Sequence, residues 1–212
     1  YVWADLIDDV DKVRMLIDPT SSYAKAAAAA MNRAIDDVII SALGGSAFTG
    51  VSGGTSVALP AASKFSTSNQ SDGLTIAKLL AAKKRFDLQS VDPSIPRYIV
   101  CGPNQISDLL ATTEVKSSDF NTVKALAQGD IDSFLGFKFI TSNRLNLDAT
   151  NTDDRLCFAF TQDAVKLAIG KDIMAKIDER NDKNYSTQVY YCMSVGATRM
   201  EEVKVFQIPC NE

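Results

Sequence analysis

The chain has 212 residues, 46% of them hydrophobic and 23% charged, with 22 Lys and Arg against 26 Asp and Glu. This is a globular composition, long enough to bury a real core. A net charge of −4 excludes a nucleic-acid binder that relies on a basic face, because neutralising phosphates takes clustered Lys and Arg.

The chain begins YVWADLIDDVDKVRML. Val2, Trp3, Leu6, Ile7, Val10, Val13 and Leu16 mix strand and helix periods, and Asp18-Pro19 breaks the segment. It opens on Tyr1 in what reads as ordered sequence, so an N-terminal portion is expected to precede it. A helix is predicted over 21–43, with Thr20, Ser21 and Ser22 as candidate N-caps. Tyr23, Ala27, Met31, Ile35, Val38 and Ala42 form its apolar stripe, widened by Ile39 and Leu43. Gly44-Gly45 supplies the stop, read as a left-handed C-terminal cap. Such a rod is about 35 Å long. Asp36 and Asp37 lie in its C-terminal half, where the helix dipole disfavours acids. Either at least one of them has a cationic partner from elsewhere, such as Arg14, Arg180 or Arg199, or the pair lies on a solvated helix face.

Residues 46–72 are rich in Ser, Thr and Gly and read as a long flexible loop with a hairpin around Gly53-Gly54. Residues 74–86 predict a second helix with Leu74, Ala77, Leu80 and Ala81 on its buried face. Lys78, Lys83, Lys84 and Arg85 are expected mostly outside. RYIVCG (97–102) predicts a strand, and Pro103 opens a short helix. Residues 112–133 are polar and mixed. LGFKFITS (135–142) and LCFAF (156–160) predict two further strands. The tail, 187–208, carries the alternation of closing strands. Helix-rich sequence followed by strands mixed with short helices is an α+β order.

The chain has no histidine, which removes Ser-His-Asp and Cys-His catalysis and His-bound zinc. Neither standard phosphate-cradling glycine loop is present; TGVSGGTS, with Gly50, Gly53 and Gly54, has no following Lys and reads as a turn. The carboxylate pairs Asp8-Asp9, Asp36-Asp37, Asp153-Asp154 and Glu201-Glu202 are sequence neighbours, and on a helix neighbours diverge by about 100°. No calcium loop fits. Cys101, Cys157, Cys192 and Cys210 form no CxxC and read as buried, reduced thiols, as a reducing cytosol permits. No catalytic, cofactor-binding or metal-binding residue is predicted. No apolar run is long enough for a membrane helix and no signal peptide is visible.

Three passages, in order, carry a resemblance. VDKVRMLIDPTSSYAKAAAAAMNRAIDDVIISAL resembles the entry and spine helix of tailed-bacteriophage major capsid proteins. ALAQGDIDSFLGFKFITSNRLN resembles that family's Leu-Gly strand passage, and DERNDKNYSTQVYYCMSVGATRMEEVKVFQI its closing strands. The resemblance implies the Hong Kong 97-type capsid fold, with a long spine helix, a peripheral β-sheet and an axial α/β domain. It divides the chain into a peripheral domain, 1–95 and 183–212, and an axial domain, 96–182. It implies a non-enzymatic shell protein of a phage or prophage that self-assembles into pentamers and hexamers. Scaffolding and portal proteins are implied partners, packaged DNA is touched only non-specifically, and no membrane is involved. The implied location is the virion, after synthesis in the host cytoplasm. The N-terminal arm and most of the extended loop would be missing from these 212 residues. No Lys and Asn match a cross-linking pair. From the residues alone, a cytosolic α+β enzyme without histidine and a binding module gripping its partner through loop 46–72 remain the alternatives.

Overall fold

The computed structural model describes residues 1–8, 19–65, 72–111, 133–149, 151 and 153–212. The entry segment past Asp8, Arg14 and the polar stretch 112–132 lie outside the described residues. The described chain divides into two compact units, 1–39 with 167–197, and 40–166 with 198–212.

The first unit is a three-stranded sheet packed on a helix. β1 (Val2–Ile7) pairs antiparallel with β9 (Ser186–Arg199), which also borders β8 (Val165–Arg180), giving the order β1-β9-β8. The N-terminal part of α1 (Pro19–Gly44) lies on it. α1 begins two residues earlier than expected, so Thr20, Ser21 and Ser22 fall inside its first turn. The proline stands at the first helical position, where its missing N–H costs nothing. At 26 residues the helix is about 39 Å long.

The alanine run has a clear packing role. Ala27 and Met31 are buried with Ile7, Val189, Tyr191 and Met193, and Ala24 and Ala28 pack against the same cluster. Trp3 bridges helix and sheet, with ring centroids 6.4 Å from Tyr23 and 6.4 Å from Tyr191. Small helix side chains opposite large aromatic ones let the backbone approach the sheet without leaving voids.

The second unit holds a five-stranded sheet, β10-β7-β4-β6-β5. Its strands are β4 (Arg97–Cys101), β5 (Ser133–Phe134), β6 (Phe137–Thr141), β7 (Asp154–Thr161) and β10 (Val205–Asn211). β4 and β6 are parallel; the other pairs are antiparallel. α2 (Ile76–Leu88) and α3 (Pro103–Ala111, proline first, as expected) contribute Leu79, Ala82, Phe86, Ile106 and Leu109 to its core. Ile40 and Leu43 from the end of α1 join them. A small hairpin, β2 (Ala47–Thr49) with β3 (Thr55–Val57), forms around the glycines as expected.

Several expectations are corrected. The strand expected at 135–142 is present as β6 and starts two residues later: Leu135 and Gly136 both take positive φ, 53° and 86°, and form a two-residue turn between β5 and β6. The tail 187–208 does not close one sheet. β9 belongs to the first sheet and β10 to the second, because the chain breaks at Met200 and re-enters through a short 3-10 turn at 202–204. The buried face of α2 is rotated by one position from the predicted one. Leu79, Ala82 and Phe86 face the core, while Leu80 is exposed. Lys78 is buried because its ammonium finds two carbonyls, Asp72 O at 2.6 Å and Pro209 O at 3.0 Å, and lies over the Phe65 ring. The lysine stem then counts as apolar surface.

The glycine stop of α1 works by a different mechanism from the one predicted. Neither Gly44 nor Gly45 has positive φ. A Cβ on Gly44 would stand 2.8 Å from the Phe158 ring, and one on Gly45 would stand 2.6 Å from the Ser41 carbonyl oxygen. Close approach, not left-handed backbone, requires both.

Candidate functional site

The residues weighed for chemistry do not converge. Asp8 accepts from Ser186 Oγ at 2.5 Å. Asp154 is buried and accepts from Asn151 at 2.8 Å, while its neighbour Asp153 is exposed. Glu201 pairs with Lys204, which also reaches Asp163 at 2.6 Å. The hydrogen bonds from Lys204 and Thr161 hold the Asp163 carboxyl below the usual carboxylate range. Among the described residues no three acids or thiols are grouped to hold a metal ion.

All four cysteines are buried free thiols, as expected. Burial pushes the Cys101 thiol up to about 12, and contact with Cys210 together with burial pushes Cys157 well above the ordinary thiol value. These are inert core groups. Cys192 differs: a hydrogen bond with Lys171 lowers its pKa.

The strongest polar construction anchors the spine helix. Arg199, 4% exposed, donates from Nη1 to Leu43 O at 3.2 Å and Gly45 O at 2.6 Å, and from Nη2 to Val57 O at 3.1 Å. The last turn of α1 holds no basic residue of its own. Arg199 therefore supplies from 154 positions away both the donors that terminal carbonyls need and the positive charge that suits a helix C-terminus. Desolvation lowers its pKa from the guanidinium value, with Glu202 opposing. The expected anchor on Asp36 or Asp37 is thus replaced, for Arg199, by one on main-chain carbonyls. Arg180 is engaged with Asp182 at 2.7 Å and Gln188 at 3.0 Å, which holds the Asp182 carboxyl down to about 2. Arg14 lies outside the described residues. Sequence reasoning named Arg199 as a possible partner of the helix but missed its target; the basic-free last turn was the available signal.

What the chain offers most extensively is surface suited to other protein. β8 is a 16-residue edge strand, exposed or half-exposed throughout, with Leu167, Ile169 and Ile177 facing solvent. An edge that long presents unpaired N–H and C=O groups ready for another chain. β1, the opposite edge, exposes Val2 and Leu6. The β2–β3 hairpin carries Phe48 at 68% exposure and a fully exposed Val51. Isolated exposed apolar groups are ordinary; two sheet edges and a hairpin tip together are the pattern of a protein that meets partners on several sides.

The comparisons agree with this. A structure from Mycobacterium phage Che8 superposes with a TM-score of 0.70 at 20% identity, over 98% of this chain and 69% of that one. The capsid of cyanophage P-SCSP1u gives 0.73 at 19%, over 98% and 71%. The SrpI encapsulin of Synechococcus elongatus PCC 7942 gives 0.61 at 8%, over 98% and 72%. A search of curated proteins finds no match. These likenesses establish the Hong Kong 97-type fold, which serves phage heads and an encapsulin alike. The family model described as phage capsid protein matches residues 1–212, the whole chain, and the chain belongs to the phage capsid protein family.

Proposed function

We propose that this protein is the major building block of an icosahedral phage or prophage head, assembling into pentamers and hexamers without any catalytic step. The observation that carries this reading is the whole-chain family match. The long exposed edge of β8 supports it physically, since a shell subunit must meet copies of itself in several settings. The two compact units support a division of labour: 1–39 with 167–197 as the peripheral part, and 40–166 with 198–212 as the axial part.

Scaffolding and portal proteins are the proposed further partners, and the host cytoplasm the place of synthesis. The net charge of −4 suits a wall that contacts packaged DNA only loosely. No described helix is long and apolar enough to cross a membrane. The test is electron microscopy of the full-length gene product, expressed alone and with its scaffolding protein. Rings or closed shells are the expected outcome; a protein that stays monomeric under every condition overturns the reading.

A further inference from the structure

We draw no further inference here: the strongest candidate, the 16-residue outer edge of β8 with Leu167, Ile169 and Ile177 exposed, carries nothing beyond the shell reading because nothing in the structure shows which strand covers it.

Discussion

Arg199 shows how much one side chain can carry in this fold. It has one guanidinium, three carbonyl acceptors and almost no solvent. Arg199→Met removes the donors and leaves the end of α1 with unpaired carbonyls; the expected loss is about 2 to 4 kcal/mol in urea-induced unfolding. Arg199→Lys retains the charge but cannot span three acceptors with a fork, so it recovers only part of this. The same scale governs the Arg155–Glu212 pair, whose two oxygens take Nε at 2.5 Å and Nη2 at 2.8 Å. Chiefly because Arg155 donates to it, the Glu212 carboxyl titrates below its ordinary value. A group whose folded pKa is depressed stabilises fully above its unfolded value, here about 4.3, and loses that contribution as pH falls through the folded value. A double-mutant cycle of Arg155→Met and Glu212→Gln is expected to give about 1 kcal/mol of coupling at pH 7 and almost none at pH 2. Equal coupling at both pH values contradicts the assignment.

At the scale of the element, α2 teaches the most. Its sequence carries two apolar stripes displaced by one residue, and periodicity cannot choose between them. Phe86 decides: its ring lies 6.1 Å from Phe137 and 5.5 Å from the Arg97 guanidinium, which is itself held by Asp87 and Val91 O. Once that large ring is placed, Leu79 and Ala82 follow inward and Leu80 turns outward. Leu79→Ala is therefore expected to cost about 2 to 5 kcal/mol, and Leu80→Ala less than about 0.5 beyond noise, both read from denaturant midpoints. Lys78→Met, which looks conservative for a buried position, orphans two carbonyls and is expected to cost about 1 to 3 kcal/mol. A stable Lys78→Met and a damaged Leu80→Ala would restore the face that periodicity alone suggested. In α1 the reasoning from pattern went further. The alanines, Tyr23 and Met31 meet the sheet as their spacing predicts, because a stripe with only one sheet to face leaves little choice.

At the scale of the whole molecule, the two sheets present different problems. The five-stranded sheet has its β10 edge bridged by Lys64 and Phe65, and the Phe65 N–H donates to Gln207 O at 2.8 Å. Among the described residues, the three-stranded sheet leaves the 16-residue β8 without a strand neighbour on its outer side. A long strand edge of this kind is a template for pairing with another chain, as a subunit of an assembly requires. The microscopy of rings and shells belongs to this scale, since it has no readout in the isolated chain. The candidate surfaces were the least legible feature in the sequence. Loop 46–72 was marked for contact and does place Phe48 and Val51 outside, but no local pattern in 165–180 marked β8 as one exposed edge.

The sequence by itself determined the long helix, the strands around 97–101 and 154–161, the proline start of α3, the buried thiols and the lack of histidine chemistry. Each of these depends on local pattern or on composition, and neither requires knowing what packs against what. Only the tertiary structure decided which face of α2 is buried, why Gly44 and Gly45 must be glycine, and how Met200 divides the closing strands between two sheets. It alone brought Arg199 to the end of α1. Those outcomes depend on contacts between residues up to about 150 positions apart, where packing and carbonyl satisfaction outweigh any preference written locally.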